Sequence, residues 1–253
     1  MGKIKDRTNE IAYNNNGERM TIIRYGNKKD IDVQFDDGTI VEHKQYDNFK
    51  RGNVKNPMTP SVYGVGFIGK GKFKPFDGNG KPTKCYIAWV SMLERCYDSK
   101  YQEKKPTYRG CMVCPEWHNF QVFAEWYCEN YYEVGNEKMN LDKDILKKGN
   151  KIYSPDTCIF VPQFINTLFV KHDKARGNFP IGVSKHRNKF QAQLSKGNGK
   201  QIHLGIYTTP EQAFLAYKKA KEEYIKEVAN EYKQKIQHEL YQALMNYKVE
   251  IDD

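Results

Sequence analysis

The chain has 253 residues, 41 Lys plus Arg against 31 Asp plus Glu, and a formal net charge of +10. A mean hydropathy of −0.83, with no apolar run near the roughly 20 residues of a membrane span and no secretory apolar region after Met1, argues against a membrane partner, and six Cys are too sparse for a disulfide-built domain. Aromatics at 13% exclude a disordered chain, so the expectation is a folded cytoplasmic protein with an anionic partner, nucleic acid first.

The first 60 residues read as a small β unit. Met20–Tyr25 and Ile31–Phe35 are strand-like, Asp36-Asp37-Gly38-Thr39 is a hairpin turn, and Thr39–His43 returns. A unit this short needs to curl into a barrel or dock elsewhere, and it resembles the Tudor-like barrels of phage proteins. Residues 61–84 carry six glycines between Gly64 and Gly80 and read as a linker or extended loop.

A helical period follows. Tyr86, Trp89, Met92, Leu93 and Cys96 form one stripe, and Trp117, Phe120, Phe123, Ala124, Tyr127 and Tyr131 a second; both read as core. Residues 139–170 read as strand, loop, strand and short helix. Met139–Leu146 leads in, the loop Lys147–Lys151 follows, Thr157–Val161 returns, and Pro162 opens a helix carrying Phe164, Ile165, Asn166 and Leu168.

Then come three short strands, Ile181–Lys185, Lys189–Ser195 and Gln201–Tyr207, with turns at Lys185–Asn188 and at Asn198-Gly199. A helix begins at the N-cap Thr209 with Pro210 at its first position and Gln212 completing a capping box. Ala213, Tyr217, Ala220, Tyr224 and Val228 stack to cover the sheet, and a last helix spans roughly Tyr232 to Tyr247. Between Lys171 and Ile206 lie eight basic residues and one acid, +7 in 36 residues. The sheet's free face is expected to carry Gln191, Gln193 and Ser195, and Arg, Lys and Gln suit phosphates and base edges.

Ile181-Gly182-Val183-Ser184, Lys189–Leu194, His203–Ala213 and Ala216-Tyr217 resemble the ethylene-response-factor (APETALA-type) DNA-binding domain over about 50 residues. The resemblance implies a three-stranded antiparallel sheet lying in the major groove of double-stranded DNA. Its contact candidates are Lys185, Arg187, Lys189, Gln191, Gln193 and His203, with Phe190 where the family has Trp.

In bacteriophages this domain is commonly fused to an HNH-type homing endonuclease. Arg95-Cys96-Tyr97, Val113-Cys114, Glu116-Trp117, Leu141-Asp142-Lys143, Tyr153-Ser154-Pro155, Cys158 and Asn166 resemble such a family over about 85 residues. The resemblance implies a ββα-metal module in the cytoplasm of a bacterial host, with Asp142 and Asn166 as Mg²⁺ or Mn²⁺ ligands. The divalent ion stabilises the leaving oxygen and a base activates water. The base is normally His directly after the Asp, and here that position holds Lys143, a poor base. Three alternatives stand: Lys143 acts electrostatically while His118 or His172 is the base, Asp144 takes a metal or base role, or the module binds DNA without cutting it. Cys111 and Cys114 form a C-x-x-C which, with Cys96 and Cys158, could hold a structural zinc, against four buried thiols as the plain alternative.

The expectation is therefore an α+β chain of modules: 1–60 small β-barrel-like unit, 61–84 linker, 85–170 HNH-like ββα-metal module, 176–230 DNA-binding sheet backed by a helix, and 231–253 C-terminal helix and tail. The leading function is a homing-type DNA endonuclease. The alternatives are a non-cleaving DNA-binding regulator and a basic array that binds RNA or ribosomes.

Overall fold

The computed structural model describes residues 5–170, 179–196 and 200–251. The turn at Asn198-Gly199 and the segment with Lys171, His172, Lys174 and Arg176 lie outside the described residues. The chain divides into two compact units, residues 1–93 with 115–124 and residues 94–114 with 125–253.

The first unit opens with β1 (Ile11–Tyr13), β2 (Arg19–Asn27), β3 (Asp30–Phe35) and β4 (Ile40–Lys44), an antiparallel meander in sequence order. Period-two alternation puts Ile31, Val33 and Phe35 of β3 on the buried face with Met20 and Ile22 of β2. The predicted turn forms: Gly38 takes φ +81° and Phe35 N donates to Thr39 O at 2.8 Å. A short helix α1 (Tyr46–Lys50), which the sequence pattern does not announce, packs Tyr46 and Phe49 onto that face. The expected barrel does not close, and β1 and β4 stay as edges. Closure needs tilted, staggered strands of matching length, and edges of 3 and 5 residues do not supply them.

Residues 58–83 contain no helix or strand, as expected, but they are docked rather than free. Phe67 N donates to His118 O, and Phe120 N to Phe67 O, both at 2.9 Å. The Gln121 side chain donates to Phe73 O at 2.9 Å and accepts from Phe73 N at 3.0 Å. A Cβ on Gly66 would lie 2.5 Å from Leu93 Cδ1, and one on Gly69 2.1 Å from Asn119 Oδ1. These glycines serve close approach. The two aromatic stripes form as read. The first lies on α2 (Lys84–Tyr97), where Trp89, Met92 and Leu93 are fully buried. After α3 (Ser99–Lys104) the second lies on α4 (Phe120–Asn130) and on the tight turn Pro115–His118 before it. Trp89 Nε1 donates to Trp117 O at 2.7 Å.

In the second unit β5 (Met112–Val113) pairs in parallel with β7 (Ile152–Tyr153). β6 (Met139–Asp142) pairs antiparallel with β8 (Ile159–Pro162), and α5 (Gln163–Thr167) follows, the strand, loop, strand, helix order read from sequence. A three-stranded antiparallel sheet comes next: β9 (Val183–His186), β10 (Lys189–Ser195) and β11 (Gln201–Tyr207), with β10 in the middle. It is backed by α6 (Pro210–Tyr232), and α7 (His238–Asn246) packs on α6. Thr209 caps α6, its hydroxyl accepting from Gln212 N at 3.3 Å. The capping box is only half made, because Gln212 Oε1 instead takes the Thr208 hydroxyl at 2.8 Å. The last helix starts at His238 rather than near Tyr232, because α6 itself runs on to Tyr232.

The expected boundary between modules near residue 170 is not a boundary in the core. Val161 and Ile165, both fully buried, belong to the same cluster as Val183, Ala192, Leu194, Ala213, Ile225 and Leu240. Glu137 joins the same packing by hydrogen bonds, accepting from Tyr232 Oη at 2.6 Å and from Phe164 N at 3.3 Å.

Candidate functional site

The loop leaving β6 carries Asp142, Lys143 and Asp144. Asp142 Oδ1 accepts the amides of Asp144 at 2.9 Å and Ile145 at 2.8 Å, which folds the loop back on itself. Asn150 holds the other end, donating to Lys143 O and Ile152 O, both at 2.7 Å; nothing in the sequence pattern singled it out. Burial, and then the charge of Asp144, push the Asp142 carboxyl up to about 6. Lys143 is only 6% exposed. Its Nζ lies 3.1 Å from Asp144 Oδ2 and 5.9 Å from the centre of the Tyr153 ring. Burial works against its charge, but Asp144 outweighs burial and lifts its pKa. Lys143 is thus an ammonium at neutral pH and not a base.

Two adjoining carboxylates, one pushed up by the other, are hard oxygen donors of the kind Mg²⁺ and Mn²⁺ take, and a divalent cation would relieve their repulsion. Asn166 is the fourth residue of α5, half-buried. That helix sets out from the Met139–Pro162 end of the hairpin, while Asp142 pairs with Ile159 at the other end. His118 lies in the first unit, in the turn before α4, where its carbonyl takes Phe67 N. His172 lies outside the described residues.

Of the two readings of the cysteines, the described residues favour buried thiols over a zinc set. A tetrahedral Cys₄ site with Zn–S of about 2.3 Å brings its sulfurs to about 3.8 Å of one another. Among the described residues no three cysteine sulfurs come within 4.8 Å of each other. Cys96, Cys111 and Cys158 are buried and Cys114 half-buried. Burial lifts the Cys96 and Cys158 thiols to about 12, with Cys111 adding to the first. Neutral buried thiols are what a core holds.

The same neighbourhood holds a residue the sequence pattern gave no role. Arg95, in the last turn of α2, is largely buried among tyrosines: its Nη1 is 3.5 Å from Tyr153 Oη and its guanidinium 5.6 Å from the centre of the Tyr108 ring.

The second candidate surface is the outer face of the C-terminal sheet. On β10, Ala192 and Leu194 are buried against α6, so Lys189, Gln191, Gln193 and Ser195 point the other way. Register places His186 beside Lys189, Ser184 and Ile206 beside Gln191, and His203 beside Gln193 on that face. Gln191 Nε2 donates to Ser184 Oγ at 3.0 Å. Lys185 pairs with Phe190 and shares the face of buried Val183, so it lies on the opposite side of the sheet from Gln191, with its side chain exposed. Arg187 stands at the hairpin tip with φ +54°. No acid occurs between residues 179 and 209. Lys196 is taken up by the fold, 2.9 Å from Glu227 and over the Tyr224 ring.

A third cluster, Asp30, Asp32 and His43, is the one group of three such side chains within 4.8 Å among the described residues. Arg24 already fills it, its Nη2 2.9 Å from Asp30 Oδ1 and from Asp32 Oδ1. Arg24, then His43, hold the Asp30 carboxyl down at about 2. This is an ion-pair network on the sheet edge. Among the described residues no helix is long and apolar enough to cross a membrane.

No protein-family model, curated protein or solved structure matches the chain.

Proposed function

We propose that this chain binds double-stranded DNA through the outer face of the β9–β11 sheet and hydrolyses a phosphodiester bond at the Asp142–Asp144 loop, as a homing-type HNH-like endonuclease of a bacteriophage would. The observation that carries the reading is that sheet face, polar and basic and free of acids, held rigid by α6 behind it. A ribbon of this width enters a major groove. Gln191 and Gln193 suit adenine edges, Arg187 and Lys189 guanine edges or phosphates, and the half-exposed Ile206 a thymine methyl. Mg²⁺ or Mn²⁺ held by Asp142, with Asn166 as the helix's ligand, would supply charge stabilisation at the leaving oxygen. Lys143 keeps its proton and draws the phosphate toward the loop. Water activation then falls to Asp144.

A second reading, a non-cleaving DNA-binding regulator, is favoured by one observation: Lys143 occupies the base position and is ion-paired to Asp144. Incubating the protein with phage and host DNA and Mg²⁺ or Mn²⁺, beside Asp142→Ala, separates the two. Cutting by the unaltered chain alone is expected; no cutting on any DNA, with a gel shift retained, selects the regulator. Arg187→Ala with Gln193→Ala is expected to weaken the specific gel shift by about 1–3 kcal/mol per lost base contact. Unchanged affinity would move the contact surface elsewhere.

A further inference from the structure

Buried cations are ordinarily paired with a carboxylate. Lys143 obeys this through Asp144. Arg95 does not: among the described residues no carboxylate lies at ion-pair distance from its guanidinium, and the groups set against it are the Tyr153 hydroxyl at 3.5 Å and the Tyr108 ring at 5.6 Å. The arrangement is a guanidinium fork beside the Tyr153 hydroxyl and the Tyr108 ring, with a second cation, Lys143, 5.9 Å from the centre of the same Tyr153 ring. Asp142 immediately precedes Lys143 on the same loop, so its carboxyl belongs to the same neighbourhood. Neutral phenols cannot neutralise a cation, but they donate hydrogen bonds to an oxyanion, and a planar guanidinium matches two oxygens of a phosphate.

We propose that Arg95, with Lys143 and the Tyr153 hydroxyl, binds the non-bridging oxygens of a phosphodiester and so sets the scissile phosphate against Asp142; this rests on the nuclease reading for the identity of the phosphate. Arg95 is the partner for the phosphate oxygens, and Lys143, in the position of a base, shares that task. The rival account makes Arg95 a structural cation stacked on tyrosine rings. The two accounts predict opposite effects of Arg95→Met on the free protein. If the guanidinium waits for an anion, an apolar chain of similar volume removes an unpaired buried charge, and the melting temperature in chloride stays level or rises. If the stacking is structural, it falls.

The test is melting of the full chain in inorganic phosphate against chloride at equal ionic strength, for the unaltered protein, Arg95→Met, Arg95→Lys and Asp142→Ala. The unaltered protein and Asp142→Ala are expected to gain melting temperature in phosphate. Arg95→Met is expected to lose that gain, and Arg95→Lys, which keeps the charge without the fork, to retain only part of it. An Arg95→Met protein that melts lower in chloride and responds to phosphate like the unaltered chain overturns the proposal. If Arg95→Met does not fold, a full phosphate response from Arg95→Lys overturns it. In a DNA-cutting assay Arg95→Met should lower kcat roughly 100-fold or more with KM nearly unchanged. Cutting that survives intact in Arg95→Met refutes the phosphate role and leaves the nuclease reading standing. No cutting by any protein, with an Arg95-dependent phosphate response, does the reverse.

Discussion

At two single residues the native state bears a local cost. Arg187 holds φ +54° at a hairpin tip, a conformation that costs a side-chain-bearing residue and not glycine. Arg187→Gly should therefore leave stability level or raise it by about 0.5–1 kcal/mol, while DNA affinity drops; a loss of both in denaturation and gel-shift assays would mean the side chain is structural. Lys221 of α6 is 9% exposed, beside a cleft lined by Leu168, Tyr217 and Val249. Burial alone pulls its pKa from 10.5 down to about 8. At neutral pH the folded state holds that charge at a cost, so Lys221→Met should stabilise by about 1–3 kcal/mol. From pH 8 to 10.5 the unfolded chain binds the extra proton, so folding stability from this group rises with pH. The gap between the two proteins in denaturant titrations should shrink across that window, and a gap that is constant with pH would show that Lys221 is solvated.

At the scale of elements, what the sequence announces depends on range. α2 and α6 were legible because their stripes and the Thr209 cap are local signals. The loop motif Asp142–Asp144 was legible as residues, but not the bond from Lys143 to Asp144, which depends on how deep the loop sits. Arg95 was legible as part of a motif but its role was not, since a cation's burial without a carboxylate is a property of tyrosines distant in sequence. Glycine is ambiguous in a string: a Gly-rich run spells linker whether the glycines flex or, as at Gly66 and Gly69, admit a neighbour. Gly182 is the sharper case. It has φ +75°, and a Cβ there would meet the Tyr217 ring at 2.0 Å. Gly182→Ala should destabilise by about 2–4 kcal/mol, through backbone and overpacking together. Denaturation checks it, and a cost below about 1 kcal/mol would mean that Tyr217 swings away freely.

For the molecule as a whole, the modular expectation failed where one core runs from β8 and α5 through the three-stranded sheet to α7. Contacts across such separations leave no periodic trace in sequence, which is why a boundary near residue 170 looked natural. Ile165 is fully buried in that core. Ile165→Ala should cost about 2–5 kcal/mol and speed amide hydrogen exchange at Ala192 and Leu194 by the same free energy. Exchange in β10 that ignored the change would show two independently melting parts. Two surfaces on a tether can reach a spread of bonds; two surfaces cast in one block reach one. Under the proposed function, the Asp142 loop and the Arg187 tip are the jaws of a caliper. Cleavage would fall a constant number of base pairs from the recognised sequence, on a constant side of the helix, whatever bases lie between.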